Sequence, residues 1–90
     1  MKQYSLNTAS IRSIDELHKS IATAFSFPSY YGKNLDALWD CLRDIELPAT
    51  LSWSGYGESK NKLGNKVKEI RRVFEDFEEE ESEFSLNVLS

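Results

Sequence analysis

One cysteine, two prolines, four glycines and a single histidine are all that this 90-residue chain carries of those four residue types. With one thiol, Cys41, no internal disulfide and no CxxC metal site can form. The helical pattern between Asp40 and Leu42 turns Cys41 inward, where a thiol behaves as a small, inert hydrophobe. The lone imidazole, His18, has no second histidine to share a metal with and reads as a satisfied core-edge or surface residue. Long apolar runs are missing too: nothing approaches the roughly 20 residues of a membrane span, and MKQYSLNTAS lacks the apolar centre of a secretory signal. The expectation is a cytoplasmic protein with no membrane partner. Ninety residues make a single domain, 1–90, near the size where one core suffices only if it is well packed.

What is present is charge, unevenly spread. The formal net charge is −4. Glu58 to Arg72 holds six basic and two acidic residues, whereas Glu75 to Glu83 holds seven acidic residues and no basic one. Such an acidic segment argues against nucleic acid as a partner and suits a basic protein, although a solvated helix end has the same composition.

Periodicity orders the elements. Met1 to Leu6 alternates as a short strand with Tyr4 and Leu6 on one face. Ser13-x-x-Glu16 resembles a capping box, and Ile14, Leu17, Ile21 and Phe25 follow at spacings of three and four, predicting a first amphipathic helix. Phe27-Pro28-Ser29 breaks it. Asn34 is placed to cap a second helix whose apolar stripe is Leu35, Leu38, Trp39 and Leu42. Thr50 to Trp53 alternates as a buried strand, and the section punctuated by Gly55, Gly57 and Gly64 has room for one short helix. Val67, Ile70, Phe74 and Phe77 mark the last helix; Phe84, Leu86 and Val88 mark the last strand. Strand, helix, helix, strand, helix, strand predicts an α/β fold: a small three-stranded parallel sheet with crossover helices packed against it.

The most specific stretch is Tyr30 to Leu42, YYGKNLDALWDCL. It places Asp36 and Asp40 one helical turn apart, where two exposed like charges oppose each other by roughly 0.2–0.5 kcal/mol. Asp36 gains from the helix N-terminal dipole, but Asp40 lies beyond its reach. A fold has no need of that pair, so recognition of a cationic surface is its better explanation.

Together with Ile11-Arg12-Ser13-Ile14, Asp15-Glu16-Leu17-His18 and the ending Val88-Leu89-Ser90, this stretch resembles the barstar family, intracellular inhibitors of barnase-type ribonucleases. The resemblance runs over nearly the whole chain and is loosest from Arg43 to Pro48 and from Gly55 to Val67. It implies a three-stranded parallel sheet with helices, and an inhibitor that sets carboxylates where RNA phosphates would sit. On the family pattern Asp40 enters the ribonuclease active site and pairs with its arginine and histidine side chains, and Asp36 meets the rim of the same basic cleft. Tyr30 matches a residue that lies against the catalytic histidine, and Tyr31 is the tyrosine expected to be buried. Asn34 and Leu35 match interface positions, although capping explains Asn34 equally well. Gly32 lets the loop approach a partner or merely turns the chain. Trp39 sits at the core edge or partly in the interface. In the last helix Asp76 and Glu80 match secondary acidic contacts.

After Leu42 the family's usual small residue, glycine and tryptophan give way to Arg43, Asp44 and Ile45. Arg43, at i+3 from Asp40, brings a cation near the principal carboxylate. Arg43 and Asp44 therefore join the candidate partner contacts, and the implied partner is a basic barnase-like ribonuclease or toxin domain distinct from barnase itself. The implied role is that of an immunity protein, monomeric alone and 1:1 with its partner, with no cofactor. The alternative is a barstar-like interaction or regulatory module for another basic protein. Asp36 and Asp40 as a metal site or an acid and base pair would form an incomplete site, so no enzyme activity and no metal are expected.

Overall fold

The computed structural model describes residues 1–89. Strand β1 spans Lys2–Asn7 and helix α1 Ile14–Phe25; α2 covers Leu35–Leu42, β2 Ala49–Ser54, α3 Tyr56–Leu63, α4 Asn65–Glu80 and β3 Phe84–Leu89. The strands form one parallel sheet in the order β1-β2-β3. Each connection is therefore a helical crossover, as parallel neighbours require. The expected α/β architecture is what forms, with α3 filling the glycine-punctuated section.

Strand pleating sorts the side chains. Tyr4 pairs with Leu51 and Leu51 with Leu86, and the next row on that face is Leu6, Trp53 and Val88. Between them, Ser5, Ser52 and Asn87 share the opposite face with Gln3, Thr50 and Ser85. Parallel sheets are usually apolar on both sides. Here β2 alternates, with Ala49, Leu51 and Trp53 buried and Thr50, Ser52 and Ser54 half-buried, so the helices have one apolar face to cover.

Helix α1 buries Leu17, Ile21 and Phe25 against that face. Ser13 caps it, its Oγ accepting the Glu16 N–H at 3.1 Å. Glu16 reaches back one residue further than a standard capping box, accepting the Arg12 N–H at 2.8 Å. The helix ends on Ser26 in the left-handed conformation, φ 59°, and the Phe27 N–H closes the end onto the Ala22 carbonyl at 2.9 Å. Helix α4 buries Val67, Ile70, Phe74 and Phe77. Phe74 meets Trp53 edge to face at 5.9 Å, and Phe77 meets Phe84 at 5.0 Å. Each such ring, moved from water to this interior, stabilises the fold by roughly 1.5–3 kcal/mol.

A polar node ties the sheet's end to α3. Trp53 Nε1–H donates to Thr8 Oγ1 at 2.9 Å, and Thr8 Oγ1 lies 3.0 Å from Ser59 Oγ and 3.1 Å from the Gly55 carbonyl. Gly55 is required there twice over. Its φ is +76°, and a Cβ on it would lie 2.4 Å from the Ala9 nitrogen. Among the described residues every buried side-chain nitrogen and oxygen has a hydrogen-bond partner.

Candidate functional site

Helix α2 is short, and its two sides differ. Leu38 and Leu42 are fully buried, while Trp39 and Cys41 are half-buried and Asp36, Asp40, Arg43 and Asp44 are exposed. Asn34 starts the helix: its Oδ1 accepts the Ala37 N–H at 2.8 Å, and its Nδ2 donates to the Gly32 carbonyl at 3.3 Å. The capping role is thus visible. Gly32 needs no left-handed backbone; a Cβ there would press on Asn34 Nδ2 at 3.3 Å and Ala37 Cβ at 3.4 Å. Its lack of a side chain makes room for the cap.

Among the described residues no lysine, arginine or histidine lies within 4.0 Å of Asp36, Asp40 or Asp44, and Arg43 has no carboxylate within that distance. The cation beside Asp40 therefore does not neutralise it by contact. Two uncompensated carboxylates one turn apart make a negative ridge that attracts cations.

The two loop tyrosines separate sharply. Tyr30 is 84% exposed and Tyr31 7%. The Tyr31 hydroxyl lies 2.7 Å from His18 Nδ1. Burial pushes the Tyr31 phenol well up and pulls the His18 imidazole below its usual value, with Asp15 opposing that fall and Lys33 adding to it. A neutral ring with its proton on Nε2 takes the Tyr31 O–H as donor. That bond fastens the base of the loop to α1 and leaves Tyr30 projecting.

Three grooves flank α2. Tyr30, Asp40 and Asp44 share one of about 380 Å³ with Phe27, Cys41 and Ile45. On the other flank Trp39, Asp76, Glu79 and Glu80 line one of about 560 Å³. Trp39 is held there by an edge-to-face contact with Phe77 at 5.9 Å, which places the core-edge residue at the base of an acidic groove. Leu35 and Asp76 line a third groove, of about 590 Å³, with Lys68, Arg72 and Val73. So the structure assembles the residues singled out in the sequence on α2, the loop before it and the flank of α4. Among the described residues no group of three or more His, Cys, Asp or Glu is placed to hold a metal ion, and no helix is long and apolar enough to cross a membrane.

Comparison with known proteins identifies the family. The family model described as Barstar (barnase inhibitor) matches residues 1–89. A Bacillus subtilis (strain 168) protein named "Putative ribonuclease inhibitor YrdF" is 34% identical over 90 residues, which span 98% of this chain and 99% of that relative. The chain belongs to the barstar family.

Several features of this barstar-family face were not visible in the sequence. Asp76 forms an exposed ion pair with Arg72 at 3.5 Å, one turn back on α4. Its signal in the sequence is the four-residue spacing of Arg72 and Asp76, set at the edge of the acidic run. Glu78 leaves the acidic face for a structural task, its Oε2 accepting the Leu86 N–H of β3 at 2.7 Å. Cys41 is a correction: it was expected to be buried and is half-exposed at the Asp40 groove. Its position on the flank of α2, between the Leu38–Leu42 face and Asp40, explains the difference. The thiol still stays protonated, because partial burial and then the Asp44 and Asp40 charges push its pKa up.

Proposed function

We propose that this barstar-family protein inhibits a basic, barnase-type ribonuclease by laying α2 over its active site. The observation that carries the reading is the pair of exposed carboxylates, Asp36 and Asp40, which have no ionic partner among the described residues, beside a projecting Tyr30. A ribonuclease that cleaves RNA through a 2′,3′-cyclic phosphate surrounds that phosphate with cationic groups. Asp40 stands in for the phosphate, accepting charge-assisted and, with arginine, bidentate hydrogen bonds. Asp36 meets the rim of the cleft. Tyr30 adds broad aromatic area with a polar tip, of the kind that dominates interface energetics. Trp39, Asp76 and Glu80 widen the contact along α4, Leu35 and the capped Gly32–Asn34 loop border it, and Arg43 and Asp44 tune it at the far end of α2.

The chain contributes no catalytic step; it occludes one. It acts in the cytoplasm as an immunity protein, one copy to one enzyme, protecting its maker from its own or a sister cell's ribonuclease. The test is RNA cleavage by a panel of barnase-type ribonucleases in the presence of the protein or its Asp40→Ala variant. Stoichiometric inhibition by the first and not the second is the expected result. Inhibition that survives Asp40→Ala would remove the phosphate-mimic assignment, and no inhibition of any enzyme at low salt would remove the function.

A further inference from the structure

Helix α4 carries a charge gradient that the acidic inhibitory face does not account for. Lys68, Arg72, Asp76 and Glu80 follow one another at four-residue intervals and all four are exposed, so they form one stripe about 18 Å long along the helix. Its order is two cations and then two anions. The acidic end borders Trp39. The cationic end borders the groove floored by Leu35 and Val73, and Asp76 lines both. Leu35 is one of the few large apolar side chains left exposed, at 37%.

The charges in that groove are poorly satisfied. Among the described residues Lys68 has no carboxylate within 4.0 Å, and the one ionic partner of Arg72 is Asp76. An exposed pair of this kind is weak and readily exchanged for a better one. Glu69, the remaining charge on the groove, lies one turn before Arg72 and Val73 on their side of the helix, but among the described residues it forms no ion pair within 4.0 Å with Lys68 or Arg72, so both cations can still take a carboxylate from a partner. A partner that is basic everywhere would be repelled by Lys68 and would compete with Arg72 for Asp76. A partner that is basic over α2 and acidic just beyond it satisfies the whole stripe.

We infer that Lys68, Arg72, Leu35 and Val73 form a second subsite, continuous with the α2 face, that takes an acidic side chain of the ribonuclease together with an apolar neighbour. This rests on the inhibitor reading and specifies its partner: the cognate enzyme carries an aspartate or glutamate flanking its basic cleft. The bond to that carboxylate releases Asp76 from Arg72 to meet an enzyme cation. Binding then requires both signs in the right order, which rejects enzymes that are merely basic.

The test uses the full chain against the enzyme of the ribonuclease panel that it inhibits most tightly. Inhibition constants are compared for the unmodified protein, Lys68→Ala/Arg72→Ala, Lys68→Glu/Arg72→Glu and Asp40→Ala, with urea midpoints to confirm that folding is unchanged. The expected result is at least tenfold weaker inhibition for the alanine pair and at least a hundredfold for the glutamate pair. Inhibition that is unchanged or tighter in the alanine pair, while Asp40→Ala abolishes it, would overturn the subsite and leave the inhibitor reading standing. No inhibition by the unmodified protein would instead defeat that reading and the subsite with it, and inhibition indifferent to Asp40→Ala would defeat the docking of α2 on which the subsite depends.

Discussion

Tyr31→Phe removes one oxygen from a closed site and isolates what that oxygen does. Tyr31 is 7% exposed and His18 4%, and their side chains meet at 2.7 Å. The phenylalanine ring keeps the tilted contacts to Phe27 at 5.3 Å and His18 at 5.7 Å, so no sizeable cavity is created. The loss is one hydrogen bond, with a buried imidazole nitrogen left without its partner. Leaving such a group unsatisfied costs about 1–3 kcal/mol. We expect about 2 kcal/mol, which for a domain of this size lowers Tm by roughly 8–16 °C. Urea unfolding followed by tryptophan fluorescence measures it, with the m-value unchanged. Tyr30→Ala is the control. At 84% exposure it should move stability by no more than about 0.5 kcal/mol while weakening ribonuclease inhibition at least tenfold. A Tyr31→Phe variant as stable as the unmodified protein would show that the hydroxyl is not fastening the loop, and the account of how Tyr30 is presented would fail.

Stability should fall with mild acid. The folded His18 has a pKa below the usual 6.5, chiefly through burial, so the unfolded chain binds the extra proton and the contribution is complete above about pH 6.5. It is lost as pH drops from there toward the folded pKa, by at most about 1.4 kcal/mol per pH unit; urea midpoints at pH 7.5, 6 and 5 that do not change would refute it. Gly55→Ala should cost about 3 kcal/mol or more, since left-handed backbone adds 1–2 kcal/mol for an L-residue and the new Cβ meets the Ala9 backbone at 2.4 Å. Calorimetry showing Gly55→Ala within about 1–2 kcal/mol of the unmodified protein, the cost of the left-handed backbone alone, would disprove the packing argument. Glu79→Gln/Glu80→Gln should slow association with the ribonuclease several-fold at low salt and not at high salt; a rate indifferent to the change in stopped flow would discard steering by the acidic run. Glu78 is left intact in that variant because it accepts the Leu86 N–H.

Elements defined by local signals were legible in the sequence. Asn34 and Ser13 cap where their side chains could reach the following amides, and the spacings of Leu17, Ile21, Leu38, Leu42, Phe74 and Phe77 placed them in the core. Helix α3 was harder, because Gly55 begins it with no side-chain cap and Ser59 alone is buried. Nothing in a hydrophobic pattern announces such a helix. The sequence separated Tyr30 from Tyr31 correctly, but not the reason, since His18 stands 13 residues away. The placement of Asp76 and Glu80 beside Trp39 depends on α2 packing against α4. The placement of α4's cations is likewise tertiary: Lys68 and Arg72 read as part of a basic segment until the fold sets them beside Leu35.

The eight residues of α2 divide into a core side and an exposed side with almost no shared side chains. Leu38 and Leu42 supply the core contact, and truncating either to alanine would cost about 2–5 kcal/mol. Asp36 and Asp40 are exposed and, among the described residues, have no cation within 4.0 Å, so replacing them leaves the fold within about 0.5 kcal/mol. Because these residues, proposed to bind, make no core contact, they can change without a folding penalty. The departures from the family pattern at Arg43 and Asp44 fall on exposed positions, as do Lys68 and Arg72 on α4. With the core contacts on one side of α2 and the charges on the other, the rim can change its charge without disturbing the fold. In the proposed complex the carboxylate at Asp40 supplies the attraction to a phosphate site, and the cations around it decide which enzyme is accepted.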